Sequence, residues 1–174
     1  ADMLLETEST RSAAYYAAGV AAEDGAELGV VAPLAKGLAS DAYVRAASDS
    51  IQIHGGVGFT WEYDAHLYFK RAKSSAVMLG DSTVQRERLV RRAEKALAEP
   101  IAPLPATLFL DYARTGNRQR FESAMFDRRD RLHALVLAEC VEDRGRFLDA
   151  IADTAWAIAE ESSWTVPAHQ SAQK

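Results

Sequence analysis

Residues 30–64 read VVAPLAKGLASDAYVRAASDSIQIHGGVGFTWEYD. In the first part of this stretch Val31, Leu34, Leu38, Ala42 and Ala46 recur at steps of three and four. That spacing predicts a helix from about Val30 to His54 with those five residues as its buried stripe. Gly55-Gly56-Val57-Gly58 then breaks it. Glycines packed this closely let backbone amides approach an anion with no Cβ in the way. The run follows a helix rather than a strand, so a Rossmann dinucleotide turn fails on context. From the residues alone, a helix-ending turn and a phosphate contact both stand.

Outward from there the pattern stays helical. Residues 2–23 are rich in Ala, Leu, Glu and Arg, and Ala14, Ala18 and Ala21 share a face suited to close helix packing. A turn over 24–29 places Gly25 as a helix C-cap. A short helix is expected from about Tyr63, and another from Ser82 to Leu97 with Arg86, Arg88, Arg91, Arg92 and Lys95 exposed. Pro100, Pro103 and Pro105 then crowd a stretch that no helix interior tolerates, so 98–105 is expected to link a module at 1–97 to one at 106–174. In the second module Gly116 ends a short helix and Asn117 caps the next, which runs to about Asp143. Gly145 breaks that helix. Phe147, Leu148, Ile151, Ala155 and Ile158 form the stripe of the last one. No strand hairpin and no internal repeat is legible, so the expected fold class is all-α.

Composition narrows the classes of function. A chain of 174 residues with 48% hydrophobic content suits one domain or two small ones. The single cysteine, Cys140, excludes an internal disulfide and fits a reducing, cytoplasmic setting. A net charge of −5 argues against nucleic acid as the main partner. Residues 1–97 carry 11 basic and 13 acidic side chains and residues 98–174 carry 9 and 12, so charge does not separate the halves. No apolar run approaches the roughly 20 residues that span a bilayer, and there is no signal-peptide pattern. The chain lacks an initiator Met and begins inside a helical pattern, which reads as a fragment. His54 and His66 have neither a Cys cluster nor an HExxH motif beside them, so both read as structural and no metal is expected.

The order of QIHGGVGFTWEYDAHLYFKRAK (52–73) and LGDSTVQRERLVRRA (79–93) resembles the C-terminal helical domain of the acyl-CoA dehydrogenases, over residues 1 to about 95. The resemblance implies an antiparallel helical bundle from an FAD enzyme that desaturates acyl-CoA thioesters, working as a homo- or hetero-oligomer. It places Gln52, Gly55 and Gly56 against the FAD of a neighbouring subunit, carries Asp81 and Thr83 to the same cofactor, and puts Arg91 near a CoA phosphate. Arg91 on a solvated basic face is the alternative. Many family members have a Glu just before the Gly of the last motif, as the base that removes the substrate α-proton while the flavin takes a hydride from the β-carbon. Leu79 stands there instead, and leucine cannot accept a proton. Asp81 is either a substitute base or a helix cap. The domains that hold substrate and flavin in this family have no counterpart in the sequence, so the chain alone is not expected to catalyse.

The second half carries a different resemblance. RTGNR (114–118), RRDRLHALVLAEC (128–140), GRFLD (145–149), EESSW (160–164) and Pro167-Ala168-His169 are similar to the start of the helical toroid in heparinase II/III-type polysaccharide lyases, over about 104–170. That likeness implies that Trp164 stacks on a sugar and His169 hydrogen-bonds it, although Gln170 stands where the family tends to have Asn. Packing for Trp164 and a frayed tail at His169 are the alternatives. Three classes of function therefore follow: part of a flavin-dependent dehydrogenase, a carbohydrate-active fragment, or a non-catalytic helical assembly module.

Overall fold

The computed structural model describes residues 2–25 and 27–169. Its helices are α1 (Asp2–Ala22), α2 (Leu28–His54), α3 (Ala65–Val77), α4 (Ser82–Ala98), α5 (Ala106–Thr115), α6 (Gln119–Glu142) and α7 (Leu148–Ala159). Short 3₁₀ turns occupy Gly55–Phe59 and Pro167–His169. Among the described residues there is no strand and no helix long and apolar enough to cross a membrane. The all-α expectation is met. The chain divides into two compact units at Leu89/Val90, inside α4 and ahead of the proline-rich stretch.

In the first unit α2 is the central element, packed on α1 and α3. Its inward face differs from the expected stripe. Val31 and Ala42 are buried, but Leu34 and Leu38 are exposed, and Gly37, Ser40, Ala47 and Ile51 take the inward places. Small side chains there let neighbouring backbones come close, as where a Cβ on Gly37 would sit 3.7 Å from the Gln85 side chain. Ala14, Ala18 and Ala21 of α1 likewise lie on its exposed side. The half-buried face is instead Met3, Glu6, Thr10, Ala13, Ala17 and Val20, and no α1 residue is fully buried. Glu6 pairs with Arg45. The second Glu6 carboxylate oxygen and the Thr10 hydroxyl are shut off from solvent with no partner among the described residues, a cost to this helix contact. At the far end of α1, Asp24 takes a left-handed conformation and the Gly25 N–H donates to Val20 O at 2.9 Å, which closes the helix.

The second unit has two apolar clusters. Ala93 of α4, Leu135 and Ala138 of α6 and Phe147 are fully enclosed, with Val90, Ala150 and Ile151 against them. Phe121, Met125 and Val166 form the other with Leu104, Leu108 and Phe109. In α7 the expected stripe is corrected: Leu148 and Ala155 are exposed, while Thr154 is fully buried. Its hydroxyl donates to Ala150 O at 2.6 Å and accepts Arg131 Nε at 3.1 Å, so a polar group is enclosed without losing a partner. Arg131 also donates to the carbonyls of Ala96 and Glu99, and Arg128 to that of Ala102 at 2.7 Å. Side chains from α6 thus tie down much of the proline-rich stretch. Gly116, left-handed at φ 75°, ends α5, and Asn117 Oδ1 accepts the Arg120 N–H at 3.3 Å to start α6, as expected.

Candidate functional site

The glycine run is built by α2 ending abruptly. Gly55 closes the helix at φ 59°, ψ −137°, a conformation open to glycine and closed to other residues, and its N–H donates to Gln52 O. Gly58 is needed for a different reason: a Cβ there would lie 2.6 Å from Ile51 O. Gly56 has neither constraint. Its φ is ordinary, it is exposed, and a Cβ added to it would meet nothing of this chain within 4 Å. Gln52 is exposed on the last turn of α2, on the same stretch as this open backbone.

A clamp that the sequence did not disclose braces this turn. His54 Nδ1 lies 2.7 Å from Ser50 O, and a carbonyl only accepts, so Nδ1 carries the proton. Its Nε2 is hydrogen-bonded to the Tyr63 hydroxyl at 2.7 Å. The two rings sit 4.7 Å apart. His66 Nδ1 donates to Tyr63 O at 2.8 Å, which fixes the other end of the loop. Both histidines thus have structural contacts. Trp61 projects from the loop with Lys70 Nζ 4.5 Å from its ring centroid and His66 edge-on at 5.0 Å, yet it is 79% exposed. Ile53, Val57, Phe59, Leu67 and Tyr68 are exposed as well.

At the second motif Leu79 is also 79% exposed and adopts φ 63°, followed by Gly80 at φ 96°. A non-glycine residue in that region signals a constrained loop. Gln85, buried in α4, holds it: Nε2 donates to Leu79 O at 2.8 Å and to Gly80 O at 3.2 Å. Sequence reading passed over Gln85, although its register with Leu89 and Ala93, both buried, marks the inward face of α4. Asp81 Oδ1 accepts the Val84 N–H at 2.9 Å, the geometry of a helix N-cap. Thr83 is exposed in the first turn of α4. Arg86 pairs with Asp41 at 2.6 Å. Arg91 is exposed on α4, in the second compact unit, whereas Gln52, Gly55, Gly56, Asp81 and Thr83 lie in the first.

Comparison with known proteins places this geometry in a family context. Residues 1–94 match the profile described as acyl-CoA dehydrogenase, C-terminal domain. Acyl-CoA dehydrogenase FadE34 of Mycobacterium tuberculosis is 45% identical over 83 residues, 47% of this chain and 12% of that protein. Acyl-CoA dehydrogenase IpdE2 of Mycolicibacterium smegmatis is 50% identical over 58 residues, 33% of this chain and 19% of that protein. An acyl-CoA dehydrogenase of Bacillus subtilis is 37% identical over 86 residues, 49% of this chain and 22% of that protein. The chain therefore spans about a tenth to a fifth of the length of these relatives.

Proposed function

Because the chain belongs, through residues 1–94, to the acyl-CoA dehydrogenase family, we propose that its first unit supplies flavin-edge and subunit contacts to an FAD-dependent acyl-CoA desaturase and does not catalyse alone. One observation carries this reading: Gly56 is a glycine that its own fold does not require. Gly55 answers to backbone conformation and Gly58 to the Ile51 carbonyl, but the space a Gly56 side chain would fill lies open. A ligand that comes close to this backbone explains the missing Cβ. Gln52, Gly55 and Gly56 would hold the edge of FAD, Asp81 and Thr83, at the start of α4, would bind the cofactor from a separate place in the same unit, and Arg91 would reach toward a CoA phosphate. When bound, FAD supplies the acceptor for the hydride leaving the substrate β-carbon. This chain's own residues bind and orient. Leu79 offers no base, and the Asp81 oxygen that faces α4 is engaged by the Val84 N–H. The desaturase activity, the acyl-CoA substrate and an oligomeric assembly are part of the same proposal, as is the organisation into a dehydrogenase-type domain at 1–97, a linker at 98–105 and a helical segment at 106–174.

The test compares the isolated chain with a full-length dehydrogenase carrying this domain. The isolated chain purifies without flavin absorbance, since most of the cofactor's contacts lie elsewhere. Gly56→Val leaves its melting temperature unchanged, yet in the full-length enzyme the same substitution weakens FAD retention. A yellow isolated chain near stoichiometry, or a full-length variant that keeps its flavin, would overturn the reading.

A second reading rests on Trp164, which is 68% exposed rather than packed, with His169 exposed on the 3₁₀ turn that follows. It assigns sugar stacking to the second unit, in line with the heparinase-type resemblance. Gln170 lies outside the described residues. Retention on an immobilised uronate polymer, lost in Trp164→Ala, is the expected result; equal retention of both proteins would remove this reading.

A further inference from the structure

The second unit has a half-open cavity of about 610 Å³ at the junction of α5, α6 and the end of α7. We propose that it binds a small monocarboxylate with an apolar body. Its volume falls within the roughly 300–1,000 Å³ of small-molecule sites. Leu104, Phe109, Leu110 and Phe121 make its apolar wall, and Phe109 meets Phe121 edge-on at 5.3 Å. Flat aromatic edges of this kind suit an aryl or alkyl body.

Among the polar residues of the wall, which include Ser162 and Ser163, the cation is Arg128. Its Nε donates to Ala102 O at 2.7 Å and its Nη1 to Ala157 O at 2.9 Å, so backbone carbonyls on two sides fix the guanidinium plane. Nη2 has no acceptor among the described residues. Glu161 also lines the cavity, with its side chain 3% exposed. Its two oxygens accept both terminal nitrogens of Arg129, at 3.2 and 2.7 Å, whereas Nη1 of Arg128 reaches it only at 3.4 Å. Arg129 therefore matches most of that negative charge and leaves Arg128 undercompensated beside an apolar wall. A preset guanidinium fork with spare donors selects a carboxylate. Glu160 sits on the rim, where its Oε1 accepts the Trp156 indole N–H at 2.7 Å, and its charge opposes an anion.

Arg128 holds two backbone carbonyls, so the test leaves it in place. The full chain is titrated with phenylbutyrate by calorimetry, and with phenylbutylamine as the oppositely charged match. Phenylbutyrate is expected to bind saturably at one site per chain, with the amine weaker by about tenfold or more, the worth of a charged hydrogen bond. Ala106→Trp places bulk at an exposed wall position, keeps the melting temperature and weakens binding by roughly tenfold. Glu160→Gln removes the opposing charge and tightens binding a fewfold. Absence of saturable binding, equal affinity for the amine, an Ala106→Trp protein that binds as wild type, or a Glu160→Gln protein that does not bind more tightly would each overturn the proposal.

Discussion

The helices of residues 2–89 and those of residues 90–169 differ in what they enclose. In the first unit α1 has no buried side chain, and Leu4, Leu5, Tyr15, Ile53, Phe59, Trp61 and Leu67 all face outward. In the second, Phe147, Leu135 and Thr154 are fully shut in, and the charged Arg128, Arg129 and Glu161 are drawn in together. The second unit completes a core from its own residues. The first leaves many of its large apolar side chains exposed. The family match covers residues 1–94, so the half with the recognised lineage is also the half with these exposed apolar side chains.

Large-to-small substitution tests the contrast most severely. Phe147→Ala should destabilise the chain by about 3–5 kcal/mol, because it empties an enclosed site. Trp61→Ala should cost no more than about 1 kcal/mol, since the ring is exposed and contributes one cation–π contact and one edge-on contact with His66. Chemical denaturation of both proteins measures the difference, and comparable losses would erase the distinction between the units.

Within the first unit the same logic separates two glycines. Gly58→Ala drives a Cβ against Ile51 O and should cost about 1–3 kcal/mol, whereas Gly56→Ala should change stability by less than about 0.5 kcal/mol. A Gly56→Ala protein as damaged as Gly58→Ala would mean that the turn itself, not a ligand, demands glycine there.

A smaller and pH-dependent effect belongs to the second unit. The Glu139 carboxylate accepts the backbone N–H of Phe147 at 3.0 Å and that of Gly145, which holds its pKa below the usual glutamate range. A lowered folded pKa means a stabilising contribution that is complete at neutral pH. It disappears as pH falls from the ordinary glutamate range through the folded value. Glu139→Gln should therefore lower the melting temperature at neutral pH, with the gap to wild type closing at strongly acidic pH. A gap that stays constant across that range would mean that the two amides are not the source of the effect.

The sequence disclosed helices better than the faces they bury. Helix ends were legible because their signals are local: Gly55, Gly116 and Asn117 act where they stand. Facing was harder. In α1 alanine occurs on every side, and the inward stripe includes Glu6 and Thr10, whose polarity hides it from a hydrophobic count. In α2 the inward places go to Gly37, Ser40 and Ala47, while Leu34 and Leu38 remain outside. Thr154 and Gln85 are buried because partners distant in sequence or across a turn satisfy them, Arg131 for one and the Leu79 and Gly80 carbonyls for the other. Periodicity carries no record of such bonds. The same limit concealed the His54–Tyr63 clamp, although both residues stood in the motif that identified the site.

Leu79 has a consequence for which amino acids its position admits. At φ 63° a residue is sorted by where its side chain branches, and valine, isoleucine and threonine, branched at Cβ, are the most strongly disfavoured. Leucine and glutamate both carry a plain methylene there. An acid and an aliphatic residue are therefore interchangeable to this backbone, while the β-branched aliphatics nearest leucine in character are not. A lineage can lose or regain a carboxylate at this point by one substitution, with Gln85 holding the loop in the same path either way. The backbone here selects for how a side chain branches and not for its charge.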